Sequence, residues 1–92
     1  MNKSKAEDEI FFGEHAETLT TNPAYVAAMT RLKARLFEQF GSTGFFQKRK
    51  REELWKMIRL VGSFEEELAK MIDDSNLAKD NMKHEQRLRQ VR

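Results

Sequence analysis

Apolar residues recur at helical spacing in the first half of the chain and draw one stripe along a predicted helix. The stripe advances by four, three, four and four positions, through Tyr25, Met29, Leu32, Leu36 and Phe40. Asn22, just before it, is a favoured N-cap, and Pro23 suits the first helical position, where a missing N–H costs nothing. Gly41 suits a left-handed C-cap. The pattern therefore predicts a helix of about 18 residues, about 27 Å long.

A second apolar pattern follows a heptad spacing, which is typical of coiled-coil packing. Its positions are Leu54, Met57, Val61, Phe64, Leu68, Met71, Ser75, Ala78 and Met82, and Ile58 and Ile72 widen it on one side. We expect this helix to begin between Phe45 and Lys50. Gly62 and residues 73–76 are weak points, but the apolar phase continues across Gly62, which favours an unbroken helix there.

The connection between the two patterns, residues 41–44, is short, so the second helix should fold back against the first. The predicted fold is all-α: an antiparallel helical hairpin with a coiled-coil-like seam, a flexible N-terminal arm and a polar C-terminal helical tail. The arm spans residues 1–21, the hairpin 22–75 and the basic tail 76–92. Charge favours disorder at the start of the arm, up to Asp8. The tail either continues the helix or frays.

Composition indicates a small protein that needs a partner. The 92 residues are 39% hydrophobic and 35% charged, a mixture typical of amphipathic helices, and so short a chain gains little from burial alone. Without cysteine, neither disulfides nor thiolate metal sites can form, so a homo-oligomer is the expected source of extra stability.

The net charge of +2 hides an alternation along the chain. Residues 1–22 carry −3, 23–47 carry +2, 48–59 carry +4, 60–75 carry −4 and 76–92 carry +3. Such banding favours contacts between acidic and basic segments of different subunits. No apolar run approaches the roughly 18 residues of a membrane span, and the polar start does not look like a signal peptide. We expect no membrane contact and a cytoplasmic location, or assembly inside the cytoplasm of another cell.

Nothing in the sequence assembles a catalytic site. His15 and His84 lie far apart, whereas zinc needs three or four convergent ligands, and no nucleophile or nucleotide motif is present. A glutamate run such as 65–67 is usually a solvated face. The prediction is a non-enzymatic protein with no catalytic residue, no cofactor, no metal and no small-molecule substrate.

The basic run Lys48, Arg49, Lys50 and Arg51 is the sharpest local feature. Cations in a first helical turn oppose the helix dipole, so stability alone would not select them. Three interpretations stay open: a solvated loop that extends to Arg51, a contact with an acidic protein surface, or a contact with nucleic-acid phosphates. Phe45 and Phe46 nearby are expected to pack under the turn, with stacking on bases as the alternative.

Two further sites contain candidate partner-binding residues. Ile10, Phe11 and Phe12 either dock into a partner's groove or fold over the open side of the hairpin. Trp55, at the edge of the seam, is either an interface anchor or a lid on a small core.

Four short blocks, residues 22–25, 51–57, 64–68 and 77–79, lie within a stretch that covers roughly residues 22–82. These blocks are similar to small helical-hairpin proteins of tailed bacteriophages and prophages. The group has no settled function, so no residue role is carried across. What the resemblance implies is a viral origin and a role in particle assembly, packaging or interference with the host.

The sequence as a whole favours a self-associating structural or assembly protein, most plausibly of a phage particle. One alternative is a nucleic-acid-binding packaging or regulatory accessory protein that acts through the basic tip and tail. The other is a phage-encoded inhibitor of a host protein.

Overall fold

The fold is all-α, as predicted, with three helices and no strand among residues 3–90, which are the residues that the computed structural model describes. Helix α1 spans Lys3–Thr21, α2 spans Pro23–Gly41 and α3 spans Lys48–Gln90. Within these residues no helix is both long enough and apolar enough to span a membrane.

Helix α2 begins as the sequence predicts. The Asn22 side chain accepts hydrogen bonds from the backbone N–H groups of Ala24 (2.9 Å) and Tyr25 (3.2 Å), and Pro23 occupies the first helical position. These bonds satisfy donors that have no partner inside the helix.

Replacing Asn22 with alanine should lower the free energy of unfolding by about 1 kcal/mol, because two amide donors lose their acceptor. Urea denaturation followed by circular dichroism measures this loss. Asn76→Ala is the matched control, since Asn76 is exposed inside α3 and alanine is the better helix former there. Equal effects of the two substitutions would show that the cap contributes nothing.

The end of α2 differs from the prediction of a left-handed cap at Gly41, which is wrong. Gly41 is helical, the cap is Ser42 with φ −87° and ψ −2°, and no described residue has a positive φ. The reason lies in the turn that follows. The Ser42 N–H donates to the Glu38 carbonyl (3.0 Å) and the Thr43 hydroxyl donates to the Phe40 carbonyl (2.7 Å), so right-handed residues already satisfy the last carbonyls.

Helix α3 begins at Lys48, within the predicted interval, and has no break at Gly62 or at residues 73–76. Its last residues, up to Gln90, continue the helix instead of fraying. A Cβ atom added to Gly62 would meet nothing within 4 Å, so no close contact requires glycine at this position.

Helix α1 occupies the segment that was predicted to be a flexible arm, and that prediction is wrong from Lys3 onward. Its small residues Ala6, Gly13 and Ala16 are buried at steps of seven and three, whereas Glu7 and Asp8 are exposed. The acidic charges that suggested disorder therefore remain in water, while the small residues let the helix pack closely.

The chain divides into two compact units. The α1–α3 unit joins α1, up to Thr20, to the part of α3 that begins at Glu67, and the α2–α3 unit comprises Thr21–Glu66. In the α2–α3 unit, Leu36 and Leu54 are buried. In the α1–α3 unit, Leu68, Ser75 and Ala78 are buried on α3. The division into arm, hairpin and tail stays a prediction.

The face of α3 that is covered differs in part from the predicted heptad. Leu54, Leu68, Ser75 and Ala78 are buried as expected, but the predicted positions Met57, Phe64 and Met71 are exposed. The predicted positions Val61 and Met82 are half-buried, and so are Ile58 and Ile72, so the covered face includes the side that these isoleucines widen. The coiled-coil-like seam itself stays a prediction.

Candidate functional site

The turn between α2 and α3 is braced by Arg51, one of the four basic residues predicted to bind a partner. Its Nε donates to the Thr43 hydroxyl (3.2 Å) and its Nη2 donates to the Gly44 carbonyl (2.9 Å). The Gly44 N–H donates to the Gln47 side chain (2.8 Å), so this amide is already used inside the turn. Arg51 is half-buried, and its role here is to hold the turn closed.

The other three members of the basic run, Lys48, Arg49 and Lys50, are exposed in the first turn of α3. The loop ends before Lys48, so the interpretation that it extends to Arg51 is wrong. No acidic residue lies in the first turn to complement the helix dipole. What these cations contact outside the chain stays a prediction.

Phe45 and Phe46 project from the turn into solvent, with 88% and 95% of their surfaces exposed. The expectation that they pack under the turn is therefore wrong. The side chains of Gln47 and Arg51 form the hydrogen bonds to the turn backbone, and neither phenylalanine is buried beneath it. The two rings form a T-shaped pair with centroids 5.3 Å apart.

Trp55 forms one wall of a cavity of about 340 Å³ at the same end of the α2–α3 unit. Its ring lies 6.0 Å from that of Phe40, at an angle of 43°. The cavity is lined by Phe40, Arg51, Glu52, Trp55, Lys56 and Arg59. Sequence analysis singled out Trp55 and Arg51 but missed Lys56 and Arg59. The available signal was spacing, since Arg51, Trp55 and Arg59 are separated by steps of four and share one helix face.

The predicted docking segment of α1 is divided between two environments. Ile10 is half-buried, and its carbonyl accepts a hydrogen bond from the Ser75 hydroxyl (3.4 Å). Phe11 and Phe12 are exposed, and the Phe11 ring lies 4.5 Å from His15. The structure thus brings Ile10 against α3 and leaves both phenylalanines available to a partner.

An apolar edge that sequence analysis did not single out lies on α3 in the α2–α3 unit. It consists of Met57, Leu60 and Phe64, all exposed, with Leu60 71% exposed. Steps of three and four place the three side chains on one helix face. The spacing of these three residues is visible in the sequence, but the heptad pattern predicts that Met57 and Phe64 are buried, and it does not include Leu60.

Each of the two units contains an ion pair between a lysine and a glutamate. Lys33 pairs with Glu65 (3.1 Å) and Lys79 with Glu14 (3.3 Å), and all four side chains are partly in water, where such pairs stabilise by less than about 1 kcal/mol. Among residues 3–90, no group of three or more histidine, aspartate or glutamate side chains is placed to hold a metal ion.

Comparison with protein families, with curated proteins and with solved structures found no match to this chain.

Proposed function

We propose that this chain is a non-enzymatic structural or assembly protein that binds a second copy of itself through the apolar edge of Met57, Leu60 and Phe64. The observation that carries the proposal is the exposure of these three large side chains on one face of a unit whose buried large residues are few. Contiguous exposed apolar surface of this kind marks interaction sites.

The contacts between α2 and α3 support an antiparallel hairpin that extends this edge. Phe40 lies beside Trp55, whereas Lys33, earlier in α2, pairs with Glu65, later in α3. Successive residues are turned by about 100° around a helix. Leu32 and Phe64 directly precede the paired Lys33 and Glu65. Each is turned by this angle from the pair, and because the helices run in opposite directions, both are turned toward the same face of the hairpin. Leu32 is also exposed, so both helices contribute to the edge.

The charges of the α2–α3 unit support a second copy of this chain as the partner that binds the apolar edge. Within the α2–α3 unit, residues 23–47 carry +2, whereas residues 60–66 carry −2. Arg35 on α2 and Glu53 on α3 are both exposed, and Glu53 lies four residues before Met57 on the same helix face. In a two-fold symmetric dimer each chain offers both segments, so opposite charges meet twice around the apolar contact. A place for such an assembly in a phage particle rests on the sequence resemblance alone.

Replacing Leu60 with glutamate should convert a self-associating chain into a monomer, because a charge would enter the centre of the apolar contact. Leu60 is so exposed that the substitution should leave helicity unchanged. Leu77→Glu is the matched control, because Leu77 is 60% exposed on α3 but belongs to the α1–α3 unit. Sedimentation equilibrium and light scattering at about 50 µM measure the mass.

Two results would overturn the proposal. One is a parent chain that is a folded, cooperatively melting monomer at this concentration. The other is a parent oligomer that both glutamate variants leave intact, which would assign self-association to another surface. A monomeric parent that captures a single host protein would instead favour the inhibitor alternative.

A further inference from the structure

We infer that the tip of the α2–α3 unit binds single-stranded nucleic acid, with bases stacked on exposed aromatic rings and phosphates held by the cations between them. The tip comprises the turn residues Phe45 and Phe46, the basic residues Lys48–Lys50 and the cavity at Trp55. The proposed self-association edge of Met57, Leu60 and Phe64 contains none of these residues, and the two proposals have separate tests.

The aromatic residues supply the first argument. Phe45 and Phe46 are almost fully exposed, so the isolated protein does not gain the stabilisation that burying these two side chains would give. The Trp55 ring is about half exposed and faces a cavity rather than a packed core. Rings presented in this way are what unpaired bases stack on, whatever the base sequence.

The cations supply the second argument. Arg51, Lys56 and Arg59 line the cavity with one carboxylate, Glu52, and Lys48, Arg49 and Lys50 continue the positive surface at the start of α3. Within the described part of the chain, neither Lys56 nor Arg59 has a carboxylate within ion-pair distance. Unpaired cations around an aromatic wall favour a ligand that is both anionic and planar.

The combination of exposed aromatic rings with unpaired cations distinguishes among anionic macromolecules. An acidic protein surface would pair with the cations but would leave two fully exposed phenylalanines without planar partners. The bases of a duplex are already stacked on each other and present only their edges in the grooves. A single strand offers phosphates and free base faces alternately, which matches cations interleaved with aromatic rings.

The protein contains one tryptophan, so its intrinsic fluorescence reports directly on the cavity. We expect a 12-nucleotide oligo(dT) to quench Trp55 and to show raised anisotropy of a 5′ label, with an affinity that falls as salt rises. Each phosphate contact contributes about 0.7 to the slope of log affinity against log salt. The double variant Lys56→Gln/Arg59→Gln should therefore lower the slope by about 1.4. Phe46→Ala should weaken binding by about tenfold through loss of one stacked base.

Two matched controls distinguish binding at the tip from non-specific attraction to positive charge elsewhere on the chain. Lys83→Gln/Arg87→Gln removes the same charge from exposed residues of the α1–α3 unit, and Phe11→Ala removes an exposed phenylalanine from α1. Both controls should bind like the parent. The inference is overturned if the Lys83/Arg87 variant loses as much affinity as the Lys56/Arg59 variant, or if oligo(dT) does not quench Trp55. It is also overturned if poly-glutamate or a duplex of equal charge binds more tightly than the single strand.

Discussion

Replacing Gly13 with alanine is expected to destabilise the α1–α3 unit by about 1–3 kcal/mol, although alanine is the better helix former. A Cβ atom at Gly13 would overlap the Cβ of Ser75, and it would lie 2.6 Å from the Ser75 hydroxyl oxygen and 2.7 Å from the Met71 carbonyl oxygen. Backbone cannot yield as a flexible side chain does, so α1 would have to move away from α3. Thermal unfolding followed by circular dichroism measures the change.

Gly62→Ala is the control, and it should have the opposite sign. Gly62 is also inside a helix, but its added Cβ would meet nothing within 4 Å. Only the helix propensity changes there, which should raise the free energy of unfolding by about 1 kcal/mol. Adding Ser75→Gly to the Gly13→Ala variant should recover part of the loss, since it removes the overlapping Cβ. Stabilisation by Gly13→Ala alone would contradict the close approach of α1 and α3.

Replacing Leu36 with alanine is expected to cost about 2–5 kcal/mol, because it leaves a cavity at the centre of the α2–α3 unit. Leu36 is 7% exposed and is the buried residue of α2. The neighbouring Phe37 is 54% exposed, so Phe37→Ala removes a larger side chain with an expected loss below about 1 kcal/mol. Chemical denaturation of both variants at equal protein concentration gives the comparison.

The decisive result is which of the two substitutions, Leu36→Ala or Phe37→Ala, lowers the free energy of unfolding more. If Phe37→Ala costs more than Leu36→Ala, then α2 presents a different face to α3. Equal and large losses at high protein concentration that disappear on dilution would instead place Phe37 in a contact between chains.

Sequence analysis predicted α2 well because its signals are local. Asn22 and Pro23 define its start through bonds within three residues, and the Leu36 stripe needs only one apolar surface to pack against. The same holds for the start of α3 near Lys48. Such features depend on neighbours along the chain, so periodicity and capping chemistry suffice to find them.

Helix α1 and the exposed tip were mispredicted because their causes are not local. Close packing at Gly13 depends on Ser75 and Met71, about 60 positions away, and small residues produce almost no hydrophobic signal. The exposure of Phe45 and Phe46 depends on which side chains brace the turn, and a rule that buries aromatic residues gives the wrong answer there. The covered face of α3 extends toward Ile58 and Ile72 for a related reason. Leu54 and Leu68 fit both the predicted heptad face and the face that is covered, so they do not distinguish the two.

The contacts in the α2–α3 unit join residues close in sequence, whereas those in the α1–α3 unit join distant residues. This difference has a consequence for folding during synthesis. Arg51 braces a turn only eight positions away, so the α2–α3 unit closes by a short loop with a small entropic cost. The hydrogen bond between Ser75 and Ile10 spans 65 positions. Within this chain, α1 is therefore the first helix to leave the ribosome and the last to meet its partner surface. Until residue 75 has emerged, the close-packing face of α1 is uncovered beside Phe11 and Phe12, which stay exposed even in the folded chain. This interval is therefore when the nascent chain is most exposed to chaperones and to aggregation.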